Sequence, residues 1–129
     1  MIELPIGRHP RAPHLRAVRQ QGGKPAKTSF TVVARASRST LLRLTLETGR
    51  THQIRVHLAA IGHPIVGDAA YGARRLPPSE SRKFPALHAA SLAFRHPLSG
   101  EEHRYESPLP EDFRSLLTSI EGQIPWIDR

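Results

Sequence analysis

The stretch Leu46–Gly72 reads LETGRTHQIRVHLAAIGHPIVGDAAYG, and the period of its apolar residues changes inside it. Just upstream, Leu42, Leu44 and Leu46 alternate with Arg43, Thr45 and Glu47, the period of two of a half-buried strand. Further on, Ile54, Leu58 and Ile61 fall at i, i+4 and i+7, one face of a helix. Thr51 is placed to cap its start, Gly62 sits where a left-handed C-terminal cap belongs, and Pro64 forbids continuation. The spacing therefore predicts a helix over 52–61, entered directly from a strand through the turn ETGR. The residues HPIVGDAAYG that follow read as an ordered loop.

Working outward, TSFTVVAR (28–35) and STLLRLTLE (39–47) are β-rich runs separated by ASRS, the pattern of an antiparallel hairpin. Before them, residues 1–27 are rich in Pro, Gly and Arg and read as an extended basic arm, with at most a short strand near Leu15–Val18. After the helix and its loop, ARRLPPSESRKFP (73–85) reads as a mobile surface loop. ALHAASLAFRHP and EEHRYESPLP read as two further strands joined by LSGE. PEDFRSLLTSI reads as a short closing helix whose first-turn acids suit its dipole. No internal repeat is present. The fold class expected is α+β, a mostly antiparallel sheet with packed helices: a basic arm over 1–27, then sheet and helices over 28–129.

The chain of 129 residues is the size of about one domain, and 38% hydrophobic residues suffice for a core. It has no cysteine, which excludes disulfides and thiolate metal sites and fits a reducing, cytoplasmic setting. No apolar run approaches the roughly 18 to 20 residues of a membrane span, and the N-terminus lacks the apolar core of a signal peptide. The formal charge is +8, and it is segregated. From Leu4 to Leu46 there is no acid but nine Lys or Arg, whereas residues 79–129 carry eight acids and six bases. A solvated basic arm is the plain explanation, but such segregation favours a phosphate backbone lying against the first third.

Two arginines, three histidines and four glycines crowd the span 48–72. A strand delivered straight into a helix presents free amide groups that favour an anion. Arg50 precedes that end and Arg55 lies on the first turn, so a phosphate or carboxylate there would meet both. Taken singly, Arg50 is equally an ordinary turn residue and Arg55 a surface helix arginine. His52 and His57 are five apart and do not share a helix face as an i, i+4 zinc pair would, so no metal is expected. No nucleophile elbow is present, and a hydrolase built on Asp68 and His63 is the weakest reading. Asp68, the one acid between Thr48 and Gly72, either pairs with an arginine or caps the next turn; the turn role weighs more.

Beyond an anion-binding turn, the residues carry a resemblance. The stretch Leu46–Gly72, with its specific GRTHQIRVH string, resembles a conserved block of RNA pseudouridine synthases of the RluA type. PIGRHPR, GKPAKTSF, LHAASLAFRHPLSG and SPLPEDF match flanking segments in the same order, so the resemblance covers almost the whole chain. It is closest to the enzymes that modify large-subunit ribosomal RNA. It implies part of a pseudouridine synthase catalytic domain, the C-terminal portion. It further implies isomerisation of uridine to pseudouridine in RNA with no cofactor, and a target base flipped out of its stack. In the family an aspartate starts the chemistry and an arginine, matching Arg55, pairs with it. The position of Ile54 lines the pocket, and those of Arg50 and His52 flank it. Arg8 and Arg11, in the basic arm, are expected to bind RNA.

The family's aspartate lies in an HRLD motif and its tyrosine in a separate strand, and neither motif occurs in this sequence. Tyr71, Tyr105 and Asp68 match other positions. The expectation is a chain inactive alone that works with a missing N-terminal half; the alternative is a non-catalytic RNA-binding remnant. A corollary concerns Arg55. Deprived of its aspartate, it must turn to solvent, borrow Asp68 or Glu47, or leave its helix loose, so Arg55→Met is expected to leave stability unchanged or raised.

Overall fold

The computed structural model describes residues 1–36, 39–75 and 85–121. The chain divides into two compact units, Met1–Ala86 and Leu87–Arg129. The expected loop over 73–85 falls largely outside the described residues.

In the first unit the strands are β1 (Ile2–Glu3), β2 (Ile6–Arg8), β3 (Arg16–Val18), β4 (Lys27–Arg35) and β5 (Thr40–Leu46). β4 and β5 form the antiparallel hairpin, in register Phe30↔Leu44 and Val32↔Leu42. An irregularity between Val32 and Ala34 shifts the pairing to Ala34↔Leu41. β1 adds to the other edge of β4, giving the order β1-β4-β5, and β2 pairs with β3 separately. The α-helix of this unit, α1, spans Gln53–Ala60.

The basic arm expected over 1–27 is corrected here. Ile2, Ile6 and Ala26 are buried core residues, Ile2 pairs with Thr28, and Ile6 exchanges both backbone hydrogen bonds with Lys24 at 2.9 and 2.8 Å. Legible in that segment were the short strand near Leu15–Val18, found as β3, and the turn chemistry: Gly22 has φ +80°, and a Cβ on Gly23 would lie 2.2 Å from the Arg19 carbonyl oxygen. Two- and three-residue strands are too short to show a period of two.

Two small clusters make the core. Ile2, Leu58 and Ile65 pack with half-buried Phe30, Leu42, Leu44 and Ile54. Ile6, Ala26 and Val56 pack with Val18 and Tyr71. Helix α1 thus lies between them, and two of its most buried residues, Gln53 and His57, are polar. Gly62 closes α1 as expected, with φ +87°. Its amide donates to Ala59 O at 3.0 Å and that of His63 to Leu58 O at 2.8 Å, the paired bonds of a Schellman motif. Ile61, expected on the buried face, is exposed.

The second unit holds an antiparallel ribbon of β6 (Ser91–Arg95) and β7 (Glu102–Glu106) and the helix α2 (Glu111–Glu121). On one face of the ribbon Phe94 stacks on His103 and Tyr105, with centroids 5.5 and 6.1 Å apart. Phe113 and Leu116, three apart on α2, are buried. The architecture is α+β with antiparallel sheets, as the sequence implied.

Candidate functional site

The site grows from the turn that enters α1. Thr51 does not cap the helix. The N-cap residue is His52, and its backbone lies in the left-handed region, φ 56° and ψ 22°. It is the one non-glycine residue with positive φ among those described. Such a conformation costs about 1–3 kcal/mol, so something must hold it. Part of the answer is Gln53. Its Oε1 accepts from the Arg50 amide at 2.9 Å and from Thr48 Oγ1 at 2.8 Å. Its Nε2 donates to Lys27 O at 2.9 Å and to Thr28 Oγ1 at 3.0 Å. All four bonding positions of the amide are filled, which fastens the turn to β4. Beside it, His57 bonds Thr28 Oγ1 through Nδ1 and Leu4 O through Nε2, each at 2.8 Å. Leu4 O can only accept, so Nε2 carries a proton.

With the turn fixed, Arg55 projects from the first turn of α1. Its Nε and Nη2 donate to Asp68 Oδ2 and Oδ1, both at 2.9 Å. Asp68 is only 1% exposed, whereas the arginine side chain is 23% exposed. The guanidinium carbon lies 4.8 Å from the centroid of the Tyr71 ring, a cation–π contact. The bond to Asp68 raises the pKa of Arg55 above its ordinary value. This corrects the expectation of an orphaned Arg55: it has borrowed Asp68, and the side-on edge of the guanidinium is filled. Nη1 makes no hydrogen bond to any described residue. Asp68 also begins the 3₁₀ turn Ala69–Tyr71, without a side-chain capping bond. The turn role and the arginine pairing therefore coexist, and the pairing is what the side chain does.

Tyr71 ties these parts together. Its Oη accepts from the Arg16 amide at 3.0 Å and lies 2.7 Å from His52 Nδ1, and the two rings meet edge to face. Burial lowers the pKa of His52, the Arg55 and Arg16 charges lower it further, and Asp68 opposes them. Arg16 stands directly opposite Arg8 in the β2–β3 pair. Like charges at such a position repel, and neither has an ion pair among the described residues.

Of the residues singled out in the sequence, Arg55 and His52 come together, and Arg8 lies one strand away from the Tyr71 contact. The others go elsewhere. Ile54 packs into the core cluster of Ile2, Leu58 and Ile65. Arg50 sends Nε to Pro25 O at 2.9 Å. Arg11 is exposed, and its amide bonds His9 Nδ1 at 3.1 Å. Sequence reasoning gave Tyr71 and Gln53 no part in the site and read Arg16 only as one more cation of the basic arm. Gln53 and His57, spaced i, i+4, did give a signal, as a polar stripe where α1 turns inward. His63 is exposed and does not join Asp68, whose oxygens are both taken by Arg55.

Known proteins resemble this chain in sequence and in fold. A family model described as RNA pseudouridylate synthase matches residues 1–60, which include β1 to α1 and Arg55. The chain belongs to the RNA pseudouridine synthase family. It is 48% identical over 125 residues to the ribosomal large subunit pseudouridine synthase D of Nitrosomonas europaea, covering 93% of this chain and 36% of that protein. To the enzyme of the same name from Escherichia coli K12 it is 46% identical over 126 residues, 90% of this chain and 38% of that one. Among solved structures, human RNA pseudouridylate synthase domain containing 1 is similar with a TM-score of 0.66 and 32% identity, covering 84% of this chain and 47% of that chain. The chain thus spans well under half the length of these curated relatives.

Proposed function

We propose that this chain supplies the arginine-bearing part of a site that isomerises uridine to pseudouridine in RNA, with ribosomal RNA as the substrate. The observation that carries the reading is Arg55: a guanidinium gripped on one edge by Asp68 and on its face by Tyr71, with its remaining end unfilled among the described residues. A fixed cation of this kind suits a second anion, either a catalytic carboxylate kept ionised or a phosphate. The relatives' names, which specify the ribosomal large subunit, support the substrate. Asp68 does not supply the starting carboxylate, because it is buried and both oxygens are spent on Arg55. The aspartate must come from a segment matching the family's HRLD motif, so the 129-residue chain alone forms no pseudouridine. Arg8 and Arg16, cationic and without an ion pair among the described residues, would bind RNA phosphate.

The test is the chain joined to the aspartate-bearing segment of a relative, assayed for pseudouridine in a ribosomal RNA stem-loop. The joined protein should turn over, and Arg55→Lys in it, which cannot grip a carboxylate at two points, should lower turnover about 100-fold or more, as loss of one aimed electrostatic group does. Undiminished turnover of Arg55→Lys would remove Arg55 from the chemistry. Binding of RNA without any turnover after joining would favour the second reading, a non-catalytic RNA-binding remnant.

A further inference from the structure

We infer that His52 is a substrate-recognition residue, locked by Tyr71 as the neutral Nε2–H tautomer so that Nε2 donates a hydrogen bond to an oxygen of RNA. The inference rests on the RNA reading above and deepens it at the same site. A phenol has one proton. Tyr71 Oη already accepts from the Arg16 amide, which is a donor and nothing else. With that bond accepted, the Oη proton is free to lie along the 2.7 Å contact to His52 Nδ1, the arrangement in which Nδ1 offers its lone pair. A neutral imidazole with its lone pair at Nδ1 carries its proton at Nε2. That atom makes no bond to any described residue, and it is not among the buried polar atoms left without a partner. In that tautomer it has a proton to give.

Two further observations agree. The left-handed backbone at His52 is a strained conformation, and strain is retained where the geometry of a side chain matters. The groups that face the ring are Arg16 from β3, Arg55 from α1, Asp68 and Tyr71 from the loop after it. Burial first, and then two cations against one carboxylate, favour the uncharged imidazole, and the cations also draw an electron-rich oxygen to it. An RNA oxygen, whether a uracil carbonyl or a phosphate, has the right chemistry. A histidine that donates while neutral keeps its hydrogen bond at any pH above its titration and adds no charge to an already cationic site.

The experiment uses the whole 129-residue chain. Long-range proton–nitrogen NMR should show His52 as the Nε2–H tautomer, and its Nε2–H signal should shift on adding oligouridine. Tyr71→Phe should release the ring into a mixture of tautomers. His52→Gly, which tolerates φ 56°, should weaken oligouridine binding at pH 8 by about 2- to 12-fold, the worth of one hydrogen bond. Tyr71→Phe keeps the ring and should weaken it less than about 2-fold. The same weakening for His52→Gly on an oligomer of abasic sites assigns the acceptor to phosphate; a weakening confined to oligouridine assigns it to the base. The Nδ1–H tautomer, unchanged binding by folded His52→Gly, or an equal weakening for both variants would overturn the inference. A chain with the expected tautomer that binds no RNA would sink the proposed function itself, and the recognition role with it.

Discussion

Removing either partner of the Arg55–Asp68 pair strands the other. Asp68 is almost fully buried, so Arg55→Met leaves a carboxylate with both oxygens unanswered. Breaking such a pair costs about 3–5 kcal/mol, a large part of the roughly 5–15 kcal/mol typical of a small domain. Arg55→Met should therefore destabilise the chain in urea by about 3 kcal/mol, the reverse of what the lone sequence implied. Asp68→Asn combined with it should cost less than the sum of the two single changes. A neutral effect of Arg55→Met would mean that the pair does not hold in solution. His52 adds a pH dependence. Its folded pKa lies below the ordinary 6.5, through burial and then the Arg55 and Arg16 charges. The folded state thus binds fewer protons than the unfolded chain in that window. The stabilisation is present above 6.5 and is lost as pH falls from there through the folded value. Denaturation midpoints of wild type minus His52→Gly should show that slope as the pH falls below about 6.5; a difference independent of pH would contradict the lowered pKa.

At the level of elements, α1 carries most of the fold of its unit because it packs into both core clusters. Leu58→Ala should cost about 2–5 kcal/mol by opening a cavity among Ile2, Ile65 and Ile54. Gly62→Ala should cost about 1–2 kcal/mol, since a Cβ meets no atom there and only the left-handed φ is at stake. Equal, small effects at both positions would show that α1 is not anchored as described. Much of this was legible in the sequence. The leucine alternation of β5, the helix period from Ile54 to Leu58, and the Gly62–Pro64 stop are local signals written in residue order. The strands β1 and β2 were not legible: two- and three-residue pieces broken by Pro5 and Pro10 carry no period, and Ile2 and Ile6 are read as core only when β4 and α1 lie over them. Arg55 was legible as a site residue from its family string. Its partner was legible only as one of two acids, Asp68 or Glu47, because thirteen residues separate it from Asp68 and the chain must first leave the helix and turn back. The role of His52 was not legible, because it depends on a backbone angle and on a tyrosine proton.

Across the whole molecule the segregated charge remains the broadest guide to function. The first unit holds Arg8, Arg11 and Arg16, with Arg8 and Arg16 opposed across two strands at an unfavourable position. An RNA phosphate would relieve that repulsion. Changing all three to Ala should weaken binding to any RNA sequence alike and lower the log–log salt slope by about 0.7 to 0.9 for each phosphate no longer neutralised. A salt-independent affinity would rule out binding through the RNA backbone.

The measurement that bears most directly on the proposed chemistry is pseudouridine itself, counted by mass spectrometry in a ribosomal RNA stem-loop after incubation with the purified chain. The 129 residues alone should produce none, and joining the aspartate-bearing segment of a relative should produce it. Pseudouridine made by the chain alone would contradict the proposed division of the site, because a nucleophile would then have to lie among residues already spent on holding Arg55 or left outside the site.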